Sequence, residues 1–505
     1  MTPMQIVTFR NPQALRLDAV SVIDMQAFQT TITTAVQHGE RVAALFGWQM
    51  PSGVVRLYVV LADDARHELS AMAADVRTTY PTLTLRCPQV HLFEREIFEQ
   101  TGAFPEGHPW IKPVRAHDIP LGEPGDKSAS DKAVPLRHPF FSMTGEDVHE
   151  VAVGPVHAGV IEPGHFRFQC HGEVVHHLEI HLGYQHRGVE EALTGGPHKR
   201  TLLQMETVAG DTTIGHATAY CQIVETLSGV EPPPRAQALR AVALELERLA
   251  NHVGDMGALA SDIGFLPTAS YCGRLRGDFL NMTALVCGSR LGRGLLRPGG
   301  VAFDMSEAQV KEVLRRLERA ERDVREAVDL FFETDSVMER LQNTGVLTAE
   351  ACQDMGIVGM AARASGLARD ARADHPSGWY RNGGAPVAVW RGGDVLARAM
   401  VRRLEIERST AFVRQHIATL PSGPVLAACP PLKPDLFAVA LIEGWRGELV
   451  HAAITDAQGR FARYKVVDPS FHNWTGLALT LRGQQISDFP LCNKSFNLSY
   501  CGFDL

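Results

Sequence analysis

Residues 205–219 are the stretch that decides how the rest of this sequence is interpreted. They read Met205-Glu206-Thr207-Val208-Ala209-Gly210-Asp211-Thr212-Thr213-Ile214-Gly215-His216-Ala217-Thr218-Ala219. Behind them, residues 232–259 begin with prolines and continue with leucines and valines at helical spacing. Proline is tolerated in a first helical turn, so this pattern favours one long buried helix, which contains an Asn251-His252 step.

The composition is that of an ordinary globular protein. At 505 residues the chain exceeds one compact core, so two or three domains are expected. The net charge of −8, without a concentrated basic face, argues against a nucleic-acid partner. No apolar run approaches the roughly 18 residues that span a bilayer, and residues 1–10 lack the pattern of a secretion signal. Any membrane association is therefore expected to run through partner subunits.

The cysteines and histidines do not predict a metal site. The nine cysteines are scattered, and none forms the C-x-x-C pair that is typical of zinc and iron–sulfur sites. The histidines of residues 171–186 lie on predicted strands, where odd and even offsets face opposite sides. We therefore expect that these residues bind no metal. We also expect the thiols to be reduced, as in a cytosolic protein.

Residues 1–112 are predicted to form a small α+β unit. Residues 41–47 and 54–62 are short β-branched runs on either side of a Pro51-Ser52-Gly53 turn, which is typical of a hairpin. Apolar residues at helical spacing then predict a helix over residues 66–80.

This unit ends in a charged helix and a turn. Residues 93–99 read Phe-Glu-Arg-Glu-Ile-Phe-Glu, and the turn carries Gly107-His108-Pro109. An E-R-E-I helix followed by G-H-P resembles the end of the 30-kDa subunit of respiratory complex I. Residues 113–150 are rich in Pro, Gly, Asp, Lys and Ser, which build no core, so they are predicted to be a linker.

Residues 151–505 form the predicted large domain. Alternating apolar residues over 166–170 and 174–180, with Gly172 between them, predict an antiparallel hairpin. Further helices are expected at about 270–291, 306–342 and 393–419. The second of these carries dense charges and is expected to be exposed or to face another subunit. The fold class is therefore α+β, with this domain mainly helical and its antiparallel hairpin or sheet peripheral.

Ordered motifs run through the large domain. They are Gly154-Pro155-Val156-His157, Glu162-Pro163-Gly164-His165-Phe166-Arg167, His186-Arg187-Gly188-Val189-Glu190, Arg363-Ala364-Ser365-Gly366 and Glu443-Gly444-Trp445-Arg446-Gly447-Glu448. The series resembles the large subunits of nickel–iron hydrogenases and the 49-kDa subunit of complex I. E-P-G-H-F-R favours the energy-converting branch, such as formate hydrogenlyase. The resemblance covers residues 151–505 almost continuously.

The resemblance locates a metal site whose ligands this chain lacks. The family holds nickel with two C-x-x-C pairs, since soft thiolates retain the metal while its redox state changes. Ala209 and Thr212 stand at the first pair. Matching the family's last aspartate to Asp504 puts Ser499 and Gly502 at the second. We therefore expect no nickel–iron centre, which disfavours an active hydrogenase.

The complex I relative binds quinone at the same place, with a tyrosine and a histidine. Counting back from Tyr220 puts the tyrosine position on Gly210, and His165 is the candidate for the histidine. Quinone stays a candidate ligand although its usual tyrosine is missing. The resemblance implies an iron–sulfur cluster in a partner subunit rather than in this chain.

Six residues around this vestigial pocket are candidates for catalytic work: Glu190, His186, Arg187, Asp211, His216 and Arg398. Glu190 matches the family's glutamate at the mouth of the proton path, where a buried carboxylate acts by a raised pKa. The alternative is a carboxylate paired with Arg187 or Arg398. Asp211 and His216 are expected either to carry protons or to hydrogen-bond each other. The cofactor-binding positions are His165 and Gly210, with Ala209, Thr212, Ser499 and Gly502 around them.

Two functions stay open. The first is a peripheral-arm core subunit of a membrane-associated, ion-translocating oxidoreductase related to complex I (NADH:quinone oxidoreductase) and formate hydrogenlyase. Such a subunit implies an iron–sulfur small subunit, antiporter-like membrane subunits and a place on the cytoplasmic face of the inner membrane. The second is a non-catalytic assembly or coupling scaffold of such a complex.

Overall fold

The chain folds as an α+β protein, as predicted, and the computed structural model describes residues 6–115, 140–157, 161–383 and 387–505. Most of the predicted linker, and residues 158–160 after the first motif of the large domain, lie outside the described residues. Within the described ranges, no helix is both long and apolar enough to cross a bilayer.

The N-terminal part is built on a five-stranded sheet. Its elements are β1 (Val7–Phe9), β2 (Gln13–Arg16), β3 (Val22–Ile23), α1 (Met25–Gln37), β4 (Arg41–Gln49), β5 (Val55–Asp63) and β6 (Glu68–Val76). The sheet order is β1-β6-β5-β4, with β3 beside β6, and β2 lies elsewhere. The antiparallel pairing of β4 with β5 confirms the predicted hairpin.

The prediction of a helix over residues 66–80 is wrong, because most of this segment forms the strand β6. β6 pairs with β5 on one side and with β1 and β3 on the other. Most of its residues are buried, so both of its faces are covered. A strand buried on both faces carries apolar residues at consecutive positions, and such a run also contains the spacing of a helical stripe.

The next elements complete the first predicted unit and begin the second. They are β7 (Thr79–Pro81), α2 (His91–Thr101), β8 (Phe104–Glu106), β9 (Val148–Val153), β10 (His165–His171) and β11 (Val174–His181). The helix α2 ends at Gly102, whose φ of +74° suits glycine, as the sequence predicts. The hairpin β10–β11 is confirmed, and β9 extends it to three strands. β9 begins at Val148, inside the predicted linker interval 113–150, whose bounds stay a prediction.

Helices dominate the middle of the chain. They and two short strands are α3 (Val189–Leu193), α4 (Thr201–Met205), α5 (Thr213–Ser228), α6 (Pro234–Asp262), α7 (Leu266–Cys287), β12 (Leu296–Arg297), β13 (Gly300–Val301), α8 (Glu307–Phe332), α9 (Asp335–Leu341), α10 (Ala349–Met355), α11 (Gly359–Ala364), α12 (Ala371–Asp374) and α13 (Val395–Ala418). The predicted helix 306–342 is two helices, α8 and α9. The long α6 packs between α7 and α13 and is buried almost all round, as predicted.

A second sheet lies in the core. The last elements are β14 (Leu436–Glu443), β15 (Glu448–Thr455), β16 (Phe461–Val467), α14 (Pro469–Thr480), α15 (Phe489–Phe496) and α16 (Tyr500–Phe503). The sheet order is β16-β15-β14-β2, and β15 is buried throughout. This buried sheet is additional to the antiparallel hairpin and sheet that the sequence predicts. β2 comes from the predicted N-terminal unit, so the two units share this sheet, and their boundaries stay a prediction.

Charged residues in the core are paired with one another. Arg363 donates to Glu405 and Glu443, and Arg372 donates to Glu245 and Asp370. All of them are buried. A buried charge is tolerated when it is paired and hydrogen-bonded. Arg363 and Glu443, which belong to the later family motifs, therefore form ion pairs in the core.

Candidate functional site

The candidate site lies where α5 begins. The backbone N–H groups of Ile214 and Gly215 donate to the Glu247 carboxylate of α6, at 2.7 and 3.2 Å. Thr212 occupies the N-cap position, but its side chain does not cap the helix. Glu247, on a neighbouring helix, therefore accepts hydrogen bonds from first-turn amides that have no acceptor within α5. Burial raises the pKa of Glu247 to about 8, although these two bonds oppose the shift.

The four positions that match the family's thiolates carry no thiol. Ala209 is buried, and its carbonyl accepts from the N–H of Thr212 at 3.0 Å. Ser499 caps α16, because its Oγ accepts from the N–H of Gly502 at 2.9 Å. A Cβ added to Gly502 would lie 2.7 Å from the Cγ of Asp468. The Asp468 carboxylate thus fills the space that a side chain at position 502 would need. Among the described residues, no three His, Cys, Asp or Glu side chains are grouped to hold a metal ion.

Arg187 joins the two halves of this pocket. It donates to the carbonyls of Thr207 and Val208, at 2.7 and 3.0 Å, and to that of Cys501 at 3.1 Å. The stretch before α5 is thereby tied to α16. His186 beside it is exposed, and partial burial together with a nearby arginine lowers its pKa.

Asp211 and His216 do not bond each other, contrary to one of the two expectations. Asp211 accepts two hydrogen bonds from Arg446, at 2.6 and 2.7 Å, in a bidentate ion pair. The Arg446 guanidinium also stacks 3.9 Å from the Trp445 ring centroid. Asn251 of α6 donates to the Asp211 carbonyl at 2.9 Å. Arg446 therefore holds Asp211 at the rim of the pocket.

His216 lies in a separate row of buried side chains. Its Nε2 is 3.1 Å from Oδ2 of Asp468, and its Nδ1 is 3.1 Å from Nε2 of His451. Nδ1 of His451 is 2.8 Å from the Tyr464 hydroxyl. Burial alone would raise the pKa of Asp468, but the contacts with His216 outweigh it and lower the pKa.

Glu190 is buried among cations that sequence reasoning did not identify. Lys465 Nζ donates to its Oε1 at 2.8 Å, and Arg463 donates to its Oε2 at 2.9 Å. The expected partners, Arg187 and Arg398, are both engaged elsewhere. Burial alone would raise the pKa of Glu190, but Lys465 and Arg463 outweigh it and lower the pKa. The raised pKa expected for this carboxylate is therefore wrong.

The cations around Glu190 extend into the N-terminal part of the chain. Lys465 also lies 2.6 Å from Oε2 of Glu96 on α2. Arg115 donates to the other oxygen of Glu96 at 2.7 Å. The result is a buried row of alternating sign, from Arg115 through Glu96, Lys465 and Glu190 to Arg463. It crosses the contact between the two predicted units.

Three predicted site residues have other surroundings. Arg398 is buried and donates to Ser495 Oγ and to backbone carbonyls, and burial lowers its pKa to about 10. His165 Nδ1 contacts the Gly154 carbonyl at 2.9 Å, and its Nε2 is buried without a hydrogen-bond partner. Gly210 is exposed and supplies no side chain. Arg398 thus stabilises loops of the core, away from Glu190.

Comparison with known proteins identifies the family. Residues 262–436 match the model of the respiratory-chain NADH dehydrogenase 49 Kd subunit. Hydrogenase-4 component G of Escherichia coli K12 is 31% identical over 431 residues, 83% of this chain and 75% of the relative. The chain belongs to the family of complex I 49-kDa subunits and their hydrogenase relatives.

Two further comparisons, one of sequence and one of fold, agree with this assignment. Formate hydrogenlyase subunit 5 of the same organism is 30% identical, over 83% of this chain and 76% of its own. A chain in the structure of the membrane-bound sulfane sulfur reductase, an archaeal respiratory membrane complex, has the same fold. It superposes with a TM-score of 0.67 at 24% identity and covers 71% of this chain and 99% of its own. The predicted resemblance is confirmed, and the chain is related to subunits of membrane respiratory complexes.

Several residues of the candidate site in this chain were not predicted from the sequence. Asp468, His451 and Tyr464 share no spacing that would connect them with His216. Lys465 and Glu96 are equally remote from Glu190 in sequence. Arg446 was part of a quoted motif, but only its contact with Asp211 shows what it does. The signal available in the sequence is limited to a single feature, the charged residues that interrupt the apolar strands.

Proposed function

We propose that this chain is the peripheral-arm core subunit of a membrane-associated, ion-translocating oxidoreductase complex. The observation that carries the proposal is a set of buried titratable side chains. Asp468 lies beside Gly502 and contacts His216. Glu190, His216 and Asp468 are each at most 4% exposed. Burying an ionised group costs several kcal/mol, which the partners Lys465, Arg463 and His216 offset, so the interior of this chain keeps charged groups.

We propose further that the complex works without a nickel–iron centre in this chain. A nickel site of the family's kind needs thiolates, and alanine, threonine, serine and glycine stand at the four positions. A Cβ at position 502 would lie 2.7 Å from the Asp468 carboxyl carbon, so a cysteine there would require Asp468 to move. The residues do not fit the metal, and no step is assigned to it.

The site does not supply the donors that a quinone needs. A quinone carbonyl is held by hydrogen-bond donors, which the family supplies from a tyrosine and a histidine. Gly210 supplies no hydroxyl. Nδ1–H of His165 donates to the Gly154 carbonyl, so the buried Nε2, which has no partner, is an acceptor in the neutral ring. We therefore assign electron transfer to the partner subunit that holds the iron–sulfur cluster.

The proposed partners follow from the relatives. Relatives carry names of hydrogenase, formate hydrogenlyase and NADH–quinone oxidoreductase subunits. We place this chain against an iron–sulfur small subunit and near antiporter-like membrane subunits, on the cytoplasmic face of the inner membrane. Its task there is to pass protonation changes from the redox partner to the membrane arm.

Purification of the complex tests this proposal. A tagged copy of the chain is isolated from gently solubilised membranes of its own host, and its partners are identified by mass spectrometry. We expect an iron–sulfur protein and polytopic membrane subunits, and redox-driven ion uptake after reconstitution into vesicles. Elemental analysis is expected to find iron and no stoichiometric nickel. A complex without redox activity, or one nickel per chain, would contradict the proposal.

A scaffold role is the second candidate. The observation in its favour is the bidentate pair of Asp211 with Arg446, which closes the rim of the pocket with a structural contact. Under this alternative the partners would still copurify. Charge-neutralising variants of Asp468 would then leave turnover and ion uptake unchanged.

A further inference from the structure

Four fully buried side chains form one unbranched row beside the vacated ligand position. The row runs from Asp468 through His216 and His451 to Tyr464, with contacts of 3.1, 3.1 and 2.8 Å. Each of the four is at most 1% exposed. Both nitrogens of both imidazoles are used, so no histidine nitrogen in the row is left for another partner.

With Asp468 ionised and both imidazoles neutral, the chemistry of the four groups allows one arrangement of protons. An ionised carboxylate only accepts, so His216 donates to Asp468 from Nε2. A neutral imidazole has a single N–H, so Nδ1 of His216 accepts and His451 donates from Nε2. Nδ1 of His451 then accepts from the Tyr464 hydroxyl. All three donors therefore point towards Asp468.

The far end of the row resists the loss of a proton. Burial raises the pKa of Tyr464 well above its usual value, and the neighbouring Tyr220 and Cys221 add to the effect. At the near end, burial alone would raise the pKa of Asp468, but the contacts with His216 and the charge of Arg446 outweigh it and lower the pKa. Asp468, which lies beside Gly502, is therefore the ionised end of the row.

We propose that His216, His451 and Tyr464 are positioning residues that hold Asp468 as a fixed negative charge beside the vacated ligand position. This inference rests on the proposed function and names the residue that supplies the charge. The three donors keep their protons, so the row fixes this charge and does not conduct protons.

Histidine tautomers give a direct test on the full chain. In protein labelled with ¹⁵N-histidine, long-range ¹H–¹⁵N spectra distinguish Nε2–H from Nδ1–H. We expect the Nε2–H form for both His216 and His451. Asp468→Asn should reverse both to Nδ1–H, because the amide oxygen stays on the α14 cap at the Ser470 N–H and the NH₂ group faces His216. An unchanged tautomer of His451 in this variant would overturn the row.

Two further variants separate positioning from packing. His451→Gln can donate to His216 from its amide nitrogen and accept from Tyr464 with its oxygen, so it should preserve the Nε2–H form of His216. His451→Leu should lose that preference. Asp211→Asn, which changes a carboxylate outside the row, serves as the matched control and should leave both tautomers unchanged. If His451→Gln and His451→Leu behave alike, the positioning role is refuted.

Activity of the assembled complex distinguishes this inference from the proposed function. Asp468→Asn is expected to lower redox-driven ion uptake at least tenfold, with the KM for the electron donor unchanged. Full uptake in this variant would refute a functional role of the Asp468 charge while the proposed function stood. A wild-type complex without redox activity would refute the proposed function, and the tautomer spectra would still decide the polarity of the row.

Discussion

Neutralising Glu190 should destabilise the fold as well as change its chemistry. In Glu190→Gln, Lys465 and Arg463 lose the carboxylate that lies 2.8 and 2.9 Å from them, and an amide NH₂ must face one of these cations. Removing one partner of a buried ion pair costs about 3–5 kcal/mol. Lys465 retains Glu96 at 2.6 Å, and the Arg463 side chain is 13% exposed, so we expect the lower end, about 3 kcal/mol.

A double-mutant cycle measures this contribution. The free energy of unfolding is obtained from urea denaturation of the full chain for wild type, Glu190→Gln, Lys465→Gln and the double variant. We expect the two changes to be non-additive by about 1–2 kcal/mol, since they act on one contact. Glu191→Gln, an exposed carboxylate on the same helix, is the control and should change stability by less than about 0.5 kcal/mol. Additive costs, or a Glu190→Gln variant as stable as wild type, would refute the ion-pair reasoning.

Three other outcomes are expected. Because the pKa of Glu247 is raised to about 8, its contribution to stability is present below the unfolded pKa and is lost as pH rises through 8. The stability of Glu247→Gln relative to wild type should therefore be greater at pH 8.5 than at pH 5, by up to ~5 kcal/mol in the free energy of unfolding. An equal difference at both pH values would contradict this. Gly502→Ala should cost about 1–3 kcal/mol through its clash with Asp468, whereas Gly210→Ala, with no atom within 4 Å, should be neutral; equal thermal midpoints would count against the packing shown. Limited proteolysis should cut first inside residues 113–150, and a first cut elsewhere would argue against the linker.

The corrections share one physical cause, which is contact between residues far apart in sequence. Glu190 was expected to act by a raised pKa because burial alone has that effect. Its pKa is lowered because Lys465 and Arg463 of β16 reach it from about 275 positions away. The same holds for His216, whose partners are Asp468 and His451. No spacing rule within one segment contains such contacts.

The sequence by itself determined the family and the α+β class. Motifs in a fixed order, proline at helix starts and glycine at turns are local signals, because each depends on the chemistry of a few neighbouring residues. The missing thiolates at Ala209, Thr212, Ser499 and Gly502 are also a matter of residue identity alone.

Only the tertiary structure decided which groups face the pocket and how they are charged. It turned the segment 66–80 into a strand, because pairing on both edges outweighs a helical stripe. It placed Asp468 beside Gly502 and bonded it to His216. Burial and partner charges set the protonation of these groups, and both depend on how distant segments pack.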